Sequence, residues 1–338
     1  MSGNGSGPIV VGIDLGGTKI LAGVIGPENQ ILGRAKRPTP AAEGGDAILK
    51  AMVEAIDEAL ATAGMDREDV AAAAVGSPGP LDSETGVILF SSNLNVKDFP
   101  LGPLLATALQ RPVLLQNDVR VGGYGEYRLG AGRGYKNVFT AFVGTGIGGC
   151  LVLNGSMVTG STGNAGEVGH IIVKAGGPRC GCGRRGCLEA LASRTAITRR
   201  ITKAIRQGVP TSLADKILKK GGKLKSGDLA EAVAQGDNVA TREVRRAALF
   251  LGLGLGSVAN LFGPEIIIVG GGVAEALGDP WVEQVRIATR EQALIDPEGK
   301  IKIERGALGD DAGMLGAGLL AREKFLTRDA IGVIAKSS

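Results

Sequence analysis

Histidine is almost absent from this chain, which has a single one, His170, among its 338 residues. Cysteine is scarce as well, with four residues, and Cys180, Cys182 and Cys187 follow that histidine closely. A secreted scaffold held together by disulfides needs many cysteines, so this composition excludes that class. A few cysteines clustered at metal-ligand spacing are typical of a reducing compartment, and we expect the protein to be cytoplasmic.

Aromatic residues are scarce, and long runs of one charge are missing. Aromatics make up 3% of the chain, the net charge is +4, and there is no long basic block. Single-stranded nucleic acids bind to aromatic stacking platforms and duplexes bind to clustered cations, so we expect no nucleic-acid partner. The 44% of hydrophobic and 21% of charged residues are ordinary for a globular protein, and the chain is long enough for two domains.

No segment has the pattern of a membrane anchor. The N-terminal stretch MSGNGSG is polar and lacks the apolar region of a signal peptide, so we expect none. The uncharged run at residues 247–264 approaches the length of a membrane span, but Gly252, Gly254, Gly256 and Asn260 interrupt it. We predict a buried core helix there and no membrane partner.

Glycine, by contrast, is abundant, with 56 residues, and it marks several turns. Residues 8–25 predict a strand, a glycine turn and a second strand, with Asp14 at the end of the first strand. The GxxxxGK[ST] pattern of a P-loop is absent. An acidic residue beside backbone N–H groups, with Thr18 and Lys19 as further donors, still suits phosphate binding. A plain hairpin with a buried aspartate is the alternative interpretation.

The same unit recurs in the second half of the chain. GTGIGG at residues 144–149 matches G-x-G-x-x-G, but Asn154-Gly155 then predicts a hairpin where a dinucleotide-binding fold needs a helix. This repeat of strand, glycine turn and strand would place two glycine turns on one ligand if the halves face each other. A third glycine motif, residues 270–272, joins a buried strand to a helix and lets the backbone approach a flat or anionic ligand.

A carboxylate follows another buried strand. Residues 112–116 predict that strand, and Asn117-Asp118 comes at its carboxyl end, where ligands bind in open α/β sheets. A helix N-cap explains the Asn-Asp pair equally well. The order of strands and helices along the chain predicts an α/β fold without a long disordered linker.

The histidine and the three cysteines after it supply the ligand count of a tetrahedral Cys3His zinc site. Two carboxylates, Glu167 and Glu189, bracket this cluster. A disulfide between Cys180 and Cys182, which are one residue apart, would be strained, and this favours zinc over an oxidised cluster. Free thiols and a nucleic-acid-binding zinc knuckle are the other interpretations. Cys150 lies outside the cluster and is predicted to be a buried, small apolar residue.

Four motifs, taken in order, carry a resemblance to a known family. DLGGTK at residues 14–19, GTGIGG at 144–149, GEVGH at 166–170 and CGCGRRGCLE at 180–189 resemble the ROK family of sugar kinases and sugar-responsive repressors. The resemblance extends from about Pro8 to about Phe325. It implies the two-domain α/β fold of the actin and hexokinase superfamily (ribonuclease H-like), with the ligand cleft between the domains. The first domain would comprise residues 8–118 and a C-terminal helix at about 311–326, and the second would comprise residues 119–310 with a zinc loop at 170–187.

The resemblance also implies roles for individual residues. ATP and its phosphates would be bound by Asp14, Gly16, Gly17, Thr18, Lys19, Gly144, Thr145, Gly146, Gly270, Gly271 and Gly272. The sugar would be bound by Gly79, Asn93, Asn117, Asp118, Glu167, His170 and Glu189. Asp118 would be the general base, Asp14 would help to place Mg²⁺ through water, and a structural Zn²⁺ would be held by His170, Cys180, Cys182 and Cys187.

The implied activity is ATP-dependent phosphorylation of the 6-hydroxyl of a hexose. NLNVKDFPL at residues 93–101 most resembles the glucokinase branch and makes glucose the expected substrate, although Val96 stands where an aromatic residue is frequent. Fructose, mannose, allose and N-acetylhexosamines are alternative substrates, and a non-catalytic sugar-sensing regulator is an alternative function. The first strand begins too early for the helix-turn-helix domain of the repressors, so we expect no DNA binding by that route. Family members are commonly homodimers or homotetramers.

Overall fold

The computed structural model describes residues 7–294 and 299–326, so the polar N-terminal lead is almost wholly outside the described residues. Over the described residues the chain forms two compact units, one of residues 7–128 with 310–326 and the other of residues 129–294 with 299–309. The domain boundary predicted from the sequence lies after Asp118. The contacts keep nearly all of the helix that starts there with the first unit.

The secondary structure follows the α/β order expected from the sequence. The strands are β1 (Ile9–Leu15), β2 (Lys19–Ile25), β3 (Ile31–Pro38), β4 (Val70–Ser77), β5 (Leu81–Asp82), β6 (Val87–Ser91), β7 (Val96–Phe99), β8 (Val113–Asn117), β9 (Val138–Val143), β10 (Ile147–Leu153), β11 (Ser156–Met157), β12 (Ile266–Gly270) and β13 (Lys302–Arg305). The helices are α1 (Gly45–Ala63), α2 (Leu101–Leu109), α3 (Asp118–Leu129), α4 (Glu189–Ala192), α5 (Arg194–Arg206), α6 (Ala214–Lys219), α7 (Ser226–Ala234), α8 (Asn238–Phe262), α9 (Gly272–Leu277), α10 (Asp279–Arg290) and α11 (Ala312–Leu326).

The first unit is organised around a five-stranded sheet in the order β3-β2-β1-β4-β8. β1, β2 and β3 pair antiparallel, whereas β4 is parallel to both β1 and β8. β5, β6 and β7 form a separate small antiparallel sheet. α11 returns from the end of the chain and packs on β1 and β4, while α1 packs on β2 and β3. The C-terminal helix therefore completes the core of the first unit.

The second unit repeats this sheet. Its order is β11-β10-β9-β12-β13, with β9, β10 and β11 antiparallel and β12 parallel to both β9 and β13. Each sheet thus begins with two strands joined by a glycine turn, at residues 16–18 in one and 144–146 in the other. The internal repeat predicted from the two glycine motifs is confirmed. In each unit the turn lies at the edge where the neighbouring parallel strands end.

The uncharged run at residues 247–264 is a core helix, as predicted. It forms most of α8, in which Leu251 and Leu255 are fully buried. α8 packs closely on α10. A Cβ atom added at Gly252 of α8 would lie 2.4 Å from the Cβ of Ala288 in α10, so only glycine fits at this contact. In the part of the chain that the structure describes, no helix is long and apolar enough to cross a membrane.

Candidate active-site residues

The turn between β1 and β2 is the first of the predicted phosphate-binding segments. The amide of Gly16 donates to the carbonyl of Lys19 at 2.9 Å, and the Thr39 hydroxyl donates to the carbonyl of Gly16 at 2.7 Å. Lys19 Nζ lies 2.7 Å from Asp310 Oδ1. This contact holds the ammonium group beside the turn, where it can bind an anion.

Asp14 and Asp118 form the acidic part of the first unit's site. Asp14 is the last residue but one of β1 and Asp118 follows β8, so the parallel strands bring both carboxylates to one edge of the sheet. Part of Asp14 stays accessible, yet many atoms surround its carboxyl group, and Gly313 of α11 packs directly against it. Burial, and then the charge of Asp118, raise the pKa of Asp14 to about 6, with Lys19 acting in the opposite direction.

The raised pKa predicts how Asp14 affects stability. The pKa in the folded protein lies above the ordinary value of 3.8, so ionised Asp14 destabilises the fold as the pH rises from about 4 through about 6. We expect Asp14→Asn to be more stable than the wild type at pH 8 by on the order of 2–3 kcal/mol, with a much smaller gain at pH 4. Urea unfolding of both proteins at the two pH values, with chelator and without ligands, checks this. A difference that does not change with pH would contradict it.

The Asn117-Asp118 pair both caps a helix and presents an oriented carboxylate. Asn117 Oδ1 accepts hydrogen bonds from the amides of Val119 (3.1 Å) and Arg120 (3.2 Å), so Asn117 caps α3. Asp118 Oδ1 accepts from the amide of Val119 at 2.9 Å and from Asn117 Nδ2 at 3.1 Å. These bonds fix the orientation of the Asp118 carboxylate at the first residue of the helix. An oriented carboxylate can accept a proton from a hydroxyl group.

The other predicted sugar-binding residues of this unit lie on the loops around β6. Asn93 is exposed and lies next to the glycine turn. A Cβ atom added at Gly17 would lie 3.2 Å from the Cβ of Asn93. Gly79 adopts a φ of 106° against the carbonyl of Phe90. Val96 is buried in the core of the unit and is only 8% exposed. The Val96 side chain therefore packs in the core beneath the loop.

The second unit contains the predicted metal cluster. The ligand atoms of its histidine and three cysteines all lie within 4.8 Å of one another. Cys182 Sγ is 3.7 Å from Cys187 Sγ, and Cys180 Sγ is 3.8 Å from His170 Nδ1. Tetrahedral zinc with Zn–S bonds of about 2.3 Å places its ligand sulfurs about 3.8 Å apart, so the distances fit this ion. None of these three cysteines is joined to another by a disulfide in the structure.

Backbone hydrogen bonds assemble this cluster from two segments. The amide of Leu188 donates to the carbonyl of Ile171 at 3.0 Å, and the amide of Val173 donates to the carbonyl of Gly186 at 3.0 Å. Burial raises the pKa of the Cys180 thiol to about 12. A metal ion must displace that proton to bind, so metal affinity should fall as the solution becomes more acidic.

Glu189 connects the cluster to the second glycine turn. One carboxylate oxygen accepts a hydrogen bond from the amide of Ile147 at 3.1 Å, and the other lies 3.6 Å from Cys180 Sγ. A side chain at Gly146 would come within 2.4 Å of this carboxylate. The sequence predicts Glu189 as a sugar-binding residue beside the cluster, but it does not predict the hydrogen bond from the amide of Ile147. Glu167 is exposed, and His170 is half-buried with Nδ1 facing Cys180, which leaves Nε2 on the other side of the ring.

The second and third glycine motifs lie in the same unit. The amide of Gly144 donates to the carbonyl of Gly146 at 2.9 Å, closing the turn, and Thr145 at its tip is exposed. Arg194 Nη2 donates to Thr145 Oγ1 at 2.6 Å. Residues 270–272 end β12 and begin α9. Sequence reasoning missed Arg194, because nothing in the sequence distinguishes it from the other arginines nearby.

Comparison with known proteins assigns the chain to a family. The ROK family model matches residues 10–324. The chain belongs to the ROK family. A glucokinase from Halalkalibacterium halodurans is 34% identical over 93% of this chain and 95% of its own length.

Solved structures of ROK proteins share the fold. A ROK hexokinase from Thermus thermophilus is 38% identical with a TM-score of 0.79, covering 94% of this chain and 98% of its own. A ROK glucokinase from Streptomyces griseus, solved with glucose and AMPPNP, is 34% identical with a TM-score of 0.80, covering 93% of this chain and 99% of its own. The predicted hexokinase-like fold is therefore confirmed for this ROK protein.

Proposed function

We propose that this ROK protein is an ATP-dependent hexokinase that transfers the γ-phosphoryl group of ATP to the 6-hydroxyl of glucose. The observation that carries the proposal is the Asp118 carboxylate, fixed by two hydrogen bonds on the sheet edge that also presents Asp14 and the first glycine turn. Relatives named glucokinase, among them one solved with glucose and an ATP analogue, support the substrates.

The chemistry asks for positioning and charge neutralisation rather than covalent catalysis. Asp118 accepts the proton of the 6-hydroxyl as that oxygen adds in line to the γ-phosphorus. Lys19 neutralises phosphate charge, and Asp310 holds its ammonium group in place. The buried acid Asp14 suits the placement of Mg²⁺ through water, and the ion would spread the negative charge of the phosphates when bound.

In this proposal the sugar is bound by polar side chains. A hexose offers several hydroxyls, which carboxylates accept and an amide or imidazole can bind in either direction. We assign this work to Asn93, Glu167, His170 and Glu189, with Gly79 supporting the loop beneath Asn93. Asn117 is assigned to the sugar as well, because one N–H of its amide donates to Asp118 and the other can donate to a hydroxyl group. It orients the base while it caps α3.

Zinc at the Cys3His cluster has a structural role in this proposal. His170 Nδ1 would be one ligand of the ion, and Nε2 would then be available for a sugar hydroxyl. Cys180, against which Glu189 packs at 3.6 Å, would be another ligand. Groups that surround a metal are held at set positions and orientations by its ligands. The ion thereby supports the sugar-binding side chains of the second unit.

A hexose panel tests the proposal directly. Purified protein with Mg²⁺ and saturating ATP is assayed for ADP release with glucose, fructose, mannose, allose and N-acetylated hexosamines. We expect glucose to give the highest kcat/KM and glucose 6-phosphate as the product. A higher kcat/KM for another hexose would show that glucose is not the preferred substrate, while the proposed phosphoryl transfer would stand. The absence of turnover with every hexose would overturn the kinase proposal and favour a sugar-sensing regulator.

A further inference from the structure

Arg194 occupies a bridging position in the second unit that the family motifs do not account for. It is the first residue of α5, and its amide donates to the carbonyl of Gly144 at 3.0 Å. Its guanidinium group donates to Thr145 Oγ1 at 2.6 Å and to Ser226 Oγ, at the start of α7, at 3.3 Å. The side chain therefore joins the second glycine turn to another helix.

The positive charge of Arg194 is not neutralised by a carboxylate. Both of its side-chain partners are hydroxyl groups, and across residues 7–294 and 299–326 it forms no salt bridge. Arg200, on the same helix, is by contrast paired with Glu243 at 2.6 Å. Burial lowers the pKa of Arg194, and no acid acts in the opposite direction. A half-buried cation without a counter-ion is costly, so the site favours the arrival of an anion.

The surroundings of Arg194 match the chemistry of a phosphate. Among the described residues, and apart from its two chain neighbours, none has an atom within 4 Å of the point where a Cβ at Gly144 would be, so that face of the turn is open. Gly272, in the third glycine motif, lies close to Ser226. A Cβ atom added at Gly272 would lie 3.4 Å from Ser226 Oγ. Arg194 thus lies between the two glycine motifs of the unit. Guanidinium binds phosphate oxygens through charge-assisted, often bidentate hydrogen bonds.

We propose that Arg194 is a phosphate-binding residue that contacts the phosphate chain of the nucleotide from the second unit. This inference rests on the proposed use of ATP and adds a specific cation to it. Thr145 and Ser226 hold the guanidinium group in position before the nucleotide arrives. The adenosine part of the nucleotide does not depend on Arg194.

The test compares two ligands that differ only in phosphate. Calorimetry measures the Kd of Mg·ADP and of adenosine for the full chain and for Arg194→Gln, which can still donate to a hydroxyl but carries no charge. We expect the Kd of ADP to rise about 10- to 100-fold, as for loss of a charged hydrogen bond. The Kd values of adenosine and of glucose should change less than about twofold. Arg194→Lys should recover part of the ADP affinity, because it keeps the charge.

Arg206→Gln is the matched control, since Arg206 is exposed at the other end of α5. It should leave all three Kd values unchanged. Equal losses of adenosine and ADP affinity in Arg194→Gln would mean that Arg194 only supports the turn, and an unchanged ADP affinity would mean that it does not touch phosphate. Either result overturns this inference alone. Failure of the wild type to bind ADP would overturn the proposed use of ATP and the inference with it.

Discussion

Asp118→Asn is expected to lower kcat by about 10³-fold while the Kd of glucose and the KM for ATP change little. Loss of a positioned general base typically costs 10²- to 10⁴-fold. Asparagine has the same shape, and its Oδ1 can still accept from the amide of Val119 and from Asn117 Nδ2. The variant therefore keeps the helix start intact and removes only the ability to take a proton. Steady-state kinetics with glucose and ATP, together with calorimetry of glucose binding, measure the two parts separately.

Asp46→Asn serves as the control for this variant. Asp46 is an exposed acid in the first turn of α1, in the same unit, and has no part in the proposed site. Its kcat should match that of the wild type. If Asp118→Asn retained a tenth or more of the wild-type kcat, Asp118 would not be the base. A large loss of glucose affinity with little loss of kcat would instead assign Asp118 to sugar binding.

The parts of the fold that the sequence predicts are those set by local turn chemistry. Asn154-Gly155 joins β10 and β11 with φ angles of 50° and 78°, as its dipeptide predicts. The two glycine turns likewise connect antiparallel strands, and their similarity revealed that the two sheets share one topology. Such turns depend on a few adjacent residues, so a single sequence is enough to locate them.

Two of the edge strands, β3 and β13, could not be predicted in the same way. β3 reads ILGRAKRP and has several exposed or half-buried positions, and it exists because β2 offers it a pairing partner. β13 reads KIER, with Ile303 as its one buried residue, and is positioned by parallel pairing with β12. Neither segment has a pronounced apolar pattern of its own. Their conformation follows from contacts with residues distant in sequence.

The residues of the candidate site likewise differ in whether the local sequence predicts them. The cysteine spacing predicted the metal cluster because the ligands are close together in the chain and chemically distinctive. The link from Glu189 to the amide of Ile147 joins residues 42 positions apart, and the bond from Arg194 to Ser226 joins residues 32 positions apart. No sequence pattern contains such pairs. Asn117 and Asp118 left two interpretations open until the hydrogen bonds showed that a cap and an oriented carboxylate occur together.

Removal of zinc is expected to weaken glucose binding and the stability of the second unit together. Cys182→Ser is the variant of choice, because Cys182 is exposed and its replacement leaves no buried cavity. Structural zinc contributes on the order of 10 kcal/mol in small metal-dependent domains, so its loss should lower Tm clearly. The Kd of glucose should rise at least about tenfold, the order seen when groups around a metal site are disturbed. Bound zinc, Tm and the Kd of glucose are measured on the same preparation.

The physical reason for the expected coupling is that the cluster is in contact with the side chains proposed to bind the sugar. His170 is assigned to both, and Glu189 packs against Cys180 with one carboxylate oxygen while the other accepts from the amide of Ile147. Cys150→Ala removes a buried thiol outside the cluster and should keep both zinc and glucose affinity, whatever its effect on Tm. If Cys182→Ser lost its zinc and still bound glucose with wild-type affinity, the metal would stabilise the loop without supporting the sugar site. Chelation of the wild type followed by zinc addition should reverse both losses, because the ligands themselves are unchanged.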